Sequence, residues 1–142
     1  MANSAQCQNC TQRACQDNCA FHYPNSHERI AEAVFAGGAC HFTANDIHGR
    51  LESDRANISL EAVNDTLLRL TKRGDLRQLP QFSSQAYYDT NTATHAHIYD
   101  EHSGELVDVP DDFSDAIIRH LAELLGDAGA LDLIIHRRRH PY

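Results

Sequence analysis

The stretch Tyr88-Asp89-Thr90-Asn91-Thr92-Ala93-Thr94-His95-Ala96-His97-Ile98-Tyr99-Asp100-Glu101-His102-Ser103-Gly104-Glu105-Leu106-Val107-Asp108 decides how the chain divides. Asp89-Thr90-Asn91-Thr92 is small and polar, the composition of a hinge. His95 and His97 stand two apart, and on a strand such residues point to one face. Glu101-His102-Ser103-Gly104 reads as a loop between strands Ala96–Asp100 and Glu105–Val109. If Glu101 closes against Gly104, the register sets His97 opposite Asp108, and opposed Cβ atoms lie about 5 Å apart. His95, His97 and Asp108 can therefore converge from local structure alone, with Asp89 close by in sequence. That is chelate spacing for an ion that accepts nitrogen and oxygen ligands. The same residues also fit a solvated polar hairpin in which the histidines bind nothing.

On the N-terminal side the pattern is helical. Ser26 is expected to cap a helix over Arg29–Ala36, stopped by Gly37-Gly38. Thr43-Ala44-Asn45-Asp46 is a capping-box-like start for a helix running to Leu51, with His41 just before the cap. Ser59 opens a third helix in which Leu60, Val63, Leu67 and Leu70 form an apolar stripe. Lys72 and Arg73 occupy its last turn and Gly74 ends it. Two short helices joined by a turn, the second amphipathic, match a helix-turn-helix. Leu76–Leu79 and Gln85–Tyr88, flanking Pro80-Gln81-Phe82-Ser83-Ser84, read as a hairpin, hence a wing. A generic small helical domain fits the same pattern.

On the C-terminal side, Pro110-Asp111-Asp112 starts a helix whose apolar face is Ile117, Leu121, Leu124 and Leu125, with Gly126 and Gly129 at its end. Leu131–His136 is a final apolar strand. A β-β-α-β unit of this size cannot bury its own sheet well, which predicts a homodimer. The expected fold is α+β, a winged helix-turn-helix followed by a small β-β-α-β dimerisation module. The expected boundaries are a cysteine-rich arm over 1–22, the winged helix over 23–88, a hinge over 89–93 and the dimerisation unit over 94–142.

Bulk composition narrows the class. The chain has 142 residues, no tryptophan and a net charge of −8. No run approaches the roughly 20 apolar residues of a membrane span, and Met1-Ala2-Asn3-Ser4 carries no signal-peptide pattern, so a cytoplasmic location is expected. Overall acidity argues against broad nucleic-acid binding, but a local basic patch suffices for phosphate contact. Such patches exist at Arg69, Lys72, Arg73 and Arg77, and at Arg137-Arg138-Arg139. Cys7, Cys10, Cys15 and Cys19 form an irregular cluster, either a candidate thiol site or a flexible tail. His95 to Glu101 has the H-x-H-x3-E spacing of metal-binding cupin enzymes. A cupin needs many strands, and this chain has helices on both sides, so no enzyme is expected. His22, His27, His48, His102, His120, His136 and His140 read as surface histidines.

Taken in order, these segments resemble the ferric uptake regulator family over about residues 24–137. The resemblance rests on Cys40-His41-Phe42-Thr43-Ala44-Asn45-Asp46-Ile47, on Ile58 to Leu67, on Tyr88-Asp89-Thr90-Asn91-Thr92, on His95-Ala96-His97 and on Gly104 to Pro110. It is strongest to the iron response regulator branch, with a metal site like that of the peroxide-sensing members. It implies a cytoplasmic, metal-dependent DNA-binding transcriptional regulator acting as a homodimer on double-stranded DNA. It places the regulatory metal on His41, Asp89, His95, His97 and Asp108. The ion would be Fe(II) or Mn(II), with Zn(II) as a tight competitor. It places DNA contacts on Ser59, Ala62, Asn64, Asp65, Arg69, Lys72 and Arg73. Asn64 stands where the family usually has tyrosine, and Asp65 is expected to pair with Arg69. Asp100 and Ser103 replace the first cysteine pair of the family's structural zinc, so no four-cysteine structural zinc is expected. Asp115 and Asp132 fall near the family's second metal site and read as surface acids. The branch also implies haem as an alternative ligand, at Cys40-His41 or the N-terminal thiols. A metal-binding dimer with lost or altered DNA recognition is a further alternative.

Overall fold

A computed structural model describes residues 25–37, 41–126 and 131–138. The thiols Cys7, Cys10, Cys15, Cys19 and Cys40, together with Gly129 and Arg139, lie outside these residues.

Among the described residues, three helices and a small sheet form the N-terminal half. Helix α1 (Ser26–Ala36) is capped by Asn25, not by Ser26 as expected from the sequence. The reason is the capping box. Asn25 Oδ1 accepts from the Glu28 amide at 3.0 Å, and Glu28 Oε2 accepts from the Asn25 amide at 2.9 Å. Strand β1 (His41–Thr43) leads directly into α2 (Ala44–Ser53), where Thr43 and Asp46 make the expected box. Helix α3 (Leu60–Arg73) starts at Ser59, whose hydroxyl oxygen accepts from the Ala62 amide at 3.2 Å. It ends at Gly74 with φ +83°, a conformation that side-chain-bearing residues disfavour.

The core runs through all three helices, with Ile30 and Val34, Ile47 and Leu51, and Val63, Leu67 and Leu70 buried together. Leu60 departs from expectation and is 38 % exposed. The stripe instead includes Thr66, whose buried hydroxyl is satisfied by Ala62 O at 2.8 Å and His27 Nδ1 at 2.6 Å. His27 is thus a half-buried histidine tied to α3 and not part of the ligand cluster.

Strands β2 (Arg77–Gln78) and β3 (Tyr87–Asp89) form the wing. The strands are shorter than the expected hairpin, although the Leu79 amide still donates to Tyr87 O at 2.9 Å. No strand was expected at β1, yet it completes the sheet in the order β1-β3-β2. Its register places His41 opposite Asp89 and Phe42 opposite Tyr88.

The C-terminal half is β4 (Ala96–Asp100), β5 (Glu105–Asp108), α4 (Asp111–Leu125) and β6 (Leu133–Arg137), in the sheet order β5-β4-β6. The hairpin takes the expected register, with His97 opposite Asp108. Strand β6 runs parallel to β4 and places Ile134 beside His97 and His136 beside Tyr99. It begins two residues later than expected and includes Arg137. Ser114, buried on α4, accepts a hydrogen bond from the Ala96 amide at 2.6 Å and fixes the helix to the start of β4. The far end of α4 is bare. Leu124 is 82 % exposed and Leu125 65 %, so only the Ile117 and Leu121 part of the expected face is covered within one chain. Among the described residues no helix is long and apolar enough to cross a membrane.

Candidate metal centre

Two register pairs build the site. In the first sheet His41 faces Asp89; in the second His97 faces Asp108. His95 sits two residues before His97 at the mouth of β4, where alternation returns its side chain to the same side. The two sheets meet on these faces. One ligand-type atom from each of the five residues then lies within 4.8 Å of all the others.

The atoms interleave by charge. Asp89 Oδ2 lies 3.4 Å from His41 Nε2, 3.1 Å from His95 Nε2 and 3.2 Å from His97 Nε2. Asp108 Oδ1 lies 2.9, 3.0 and 3.5 Å from the same three nitrogens. Ligand atoms each roughly 2.1 Å from one ion stand about 3 to 4 Å apart, so these spacings suit a shared ion. Asp89 is fully buried, His95 and His97 nearly so, and Asp108 leaves a side open to solvent.

Protonation and hydrogen bonding aim the donors inward. Burial pushes the Asp89 carboxyl up, but the adjoining His41 and His97 rings and the Asn91 amide win, and its pKa lies far below the usual carboxylate value. Burial opposes a charge on His41, yet Asp89, Asp108 and a hydrogen bond to the Leu106 backbone outweigh it and raise its pKa. His95 Nδ1 meets Ala93 O at 2.8 Å. A carbonyl only accepts, so Nδ1 donates to it, and this contact orients the ring with Nε2 toward Asp89 and Asp108, where it could serve as a ligand to an ion.

His41 Nε2 supplies the test of fit. It is fully buried, and among the described residues it makes no hydrogen bond of acceptable geometry. It stands close to both acids but off their hydrogen-bonding directions. A buried ring nitrogen without a hydrogen bond, set beside two carboxylates, fits a cation site. Three imidazoles and two carboxylates, without thiolate, suit Fe(II) or Mn(II) and admit Zn(II).

The α3 residues are placed less uniformly. Ser59 is occupied as the helix cap and Ala62 packs against the core. Asn64, Asp65, Arg69, Lys72 and Arg73 are exposed. Asn64 Nδ2 donates to Leu60 O at 3.0 Å, Asp65 pairs with Arg69 at 2.9 Å as expected, and Arg73 pairs with Asp75 at 2.9 Å. Arg77 does not join this basic group. Its guanidinium turns to Ala93 O and Asp132, so Asp132 is not a free surface acid. Glu101 is not a third ligand beside the H-x-H pair, because it faces His136 and Arg138. Sequence reasoning missed Arg77, Phe82 and His136 as contacts between the halves. The available signal was alternation, since Arg77 lies opposite Asp89 and His136 beside Tyr99.

Comparison with known proteins identifies the family and the fold. The profile of the ferric uptake regulator family matches residues 21–129. The peroxide-responsive repressor PerR of Staphylococcus saprophyticus is 32% identical over 68 residues, which is 48% of this chain and 46% of that protein. The match thus spans about half the length of that relative. The ferric uptake regulator of Pseudomonas aeruginosa, solved with manganese, superposes with a TM-score of 0.66 at 15% identity, covering 84% of this chain and 90% of that one. The ferric uptake regulator of Francisella tularensis, solved with iron, gives 0.67 at 15% identity, over 86% and 94%. At such identities the two structures establish a shared fold.

Proposed function

This chain belongs to the ferric uptake regulator family, a family of transcription regulators and not of enzymes, and from that premise we propose that it is a metal-responsive, DNA-binding transcription regulator. The observation that carries the proposal is the cluster itself. His41 and Asp89 come from the winged-helix half, and His95, His97 and Asp108 from the β-β-α-β half. A divalent ion held by all five would join the halves and fix where α3 stands relative to the C-terminal sheet. Fe(II) or Mn(II) is the ion proposed, from the donor set and from the relatives solved with iron and manganese.

Phe113, Leu124 and Leu125 leave a bare apolar face on α4, which a second copy would cover. In that dimer the ion sets the separation of two α3 helices, and this separation decides whether both enter successive major grooves of an operator. Asn64, Asp65, Arg69, Lys72 and Arg73 would face the duplex, with Ser59 and Ala62 at the helix start. Kinship with the iron response branch rests on Asp100 and Ser103 standing in place of cysteines. Its haem alternative depends on thiols outside the described residues, and nothing among the described residues favours it. A second reading, altered or lost DNA recognition, is favoured by one observation: Asp65 holds Arg69 in an ion pair on the exposed face of α3.

The test is fluorescence anisotropy on an AT-rich palindromic duplex at fixed moderate salt, with Mn(II) and with chelator. Affinities differing by at least about 10-fold between the two, with the difference abolished in His97→Ala, are expected for a coupling of ordinary size. Equal affinity in both conditions overturns the switch. Absence of binding in both, with metal still bound, favours the second reading.

A further inference from the structure

The metal ligands form one row of contacts between the halves, and a second row lies beside it. His97 and Tyr99 are two apart on β4 and share a face, as do Asp89 and Tyr87 on β3. Next to the ligand row the registers therefore set an aromatic row, Tyr87 from the wing against Tyr99 and its neighbour His136. Phe82, in the wing loop, fills the space between them. Its ring centroid is 5.0 Å from Tyr87, 4.9 Å from Tyr99 and 6.1 Å from His136, and Tyr99 and His136 are 5.6 Å apart. These are edge-to-face and tilted distances at which aromatic rings attract. Glu101 Oε1, 3.1 Å from His136 Nδ1, orients the imidazole.

On the wing's other strand, Arg77 lies opposite Asp89 and reaches across the same boundary. Its Nη1 donates to Ala93 O at 3.0 Å, and its Nη2 pairs with Asp132 at the foot of β6. The Arg77 side chain is only 16 % exposed and that of Asp132 33 %, so the pair is shielded more than a typical surface pair.

We infer that Phe82 with Tyr99 and His136, and Arg77 with Asp132, form a second clasp that positions the winged helix on the C-terminal sheet without any metal. One point of attachment leaves the halves free to rotate about it, whereas contacts displaced from that point restrict the rotation. The halves accordingly stay in contact in the metal-free chain, and an ion sets the final orientation within the range that this contact allows. These are positioning residues; none is a ligand of the five-residue centre. The inference goes beyond the proposed function and stands whether or not the chain reads DNA.

The test is amide hydrogen exchange of the full chain in chelator, so that its outcome does not depend on the metal reading. Wild type is compared with Phe82→Ala/Asp132→Asn and with Phe82→Tyr/Asp132→Asn. The first variant is expected to raise exchange over residues 90–96 at least about 10-fold while α3 stays protected, with a larger radius of gyration in solution scattering. The tyrosine variant, which keeps a ring in the slot, is expected to lie between it and wild type. Protection of α3 separates opening of the boundary from unfolding. If Phe82→Ala costs that protection, Asp132→Asn alone carries the test with the same direction expected. Hinge protection and radius equal to wild type in a folded variant overturn the inference.

Discussion

Asp89→Asn lowers the affinity for Mn(II) by at least about 100-fold. Asp89 is the inner acid of the centre, fully buried, with all three imidazole Nε2 atoms between 3.1 and 3.4 Å from one of its oxygens. Asparagine keeps the shape and the turn contact from the Asn91 amide but removes the charge. A neutral amide is a poor ligand for a hard divalent ion, and even loss of an outer partner of a metal ligand typically costs about 10- to 100-fold in affinity. The metal-free protein also changes. The hydrogen bond between His97 Nε2 and this carboxylate becomes a neutral contact, which destabilises the fold by about 2 kcal/mol. The pKa of His41 falls, because the first of the two acids that raise it is gone. Competition titration against a fluorescent chelator reads the affinity, and thermal unfolding in chelator reads the fold. Affinity within about threefold of wild type would place the ion elsewhere.

Phe42→Ala costs about 3 to 5 kcal/mol of stability, the usual range for removing a buried phenylalanine. Phe42 is 1 % exposed and stacks on Tyr88 with centroids 6.0 Å apart. It stands on β1 between His41, a ligand-type residue, and Thr43, the cap of α2. Its ring points into the core, while His41 on the opposite face points at the metal centre. The cavity therefore loosens β1 against β3, and metal affinity falls together with stability. Against a total of roughly 5–15 kcal/mol for an ordinary domain, such a loss is large. Urea unfolding in chelator measures it, with an expected midpoint drop and an unchanged slope. A loss below about 1 kcal/mol would mean that β1 contributes little to the fold.

The parts of this structure legible in the sequence are those fixed by neighbours along the chain. Thr43 with Asp46, Ser59 with Ala62, and Gly74 determine helix ends within a few residues. The pairing of His97 with Asp108 follows from the length of one loop. Ser26 reads from the sequence as the cap of α1, but the reciprocal bonds with Glu28 give that role to Asn25. Leu60 continued the apolar stripe by spacing, yet it lies at the first position of α3, past the edge of the core.

Long-range contacts left little trace. Strand β1 is three residues long and exists only because β3 pairs with it from far along the chain. His41 entered the ligand set through family resemblance, not spacing. The partners of Arg77 lie 16 and 55 positions away, so it read as one more cation in a basic cluster. Phe82 read as a loop residue, because Tyr99 and His136 meet it only once the two sheets pack face to face.

The most direct measurement is anomalous diffraction at the manganese absorption edge from crystals of the full chain grown with Mn(II). One strong peak enclosed by His41 Nε2, Asp89 Oδ2, His95 Nε2, His97 Nε2 and Asp108 Oδ1 is expected. A peak at some other cluster, or none there while the five side chains keep the arrangement described, would contradict the assignment of the metal centre.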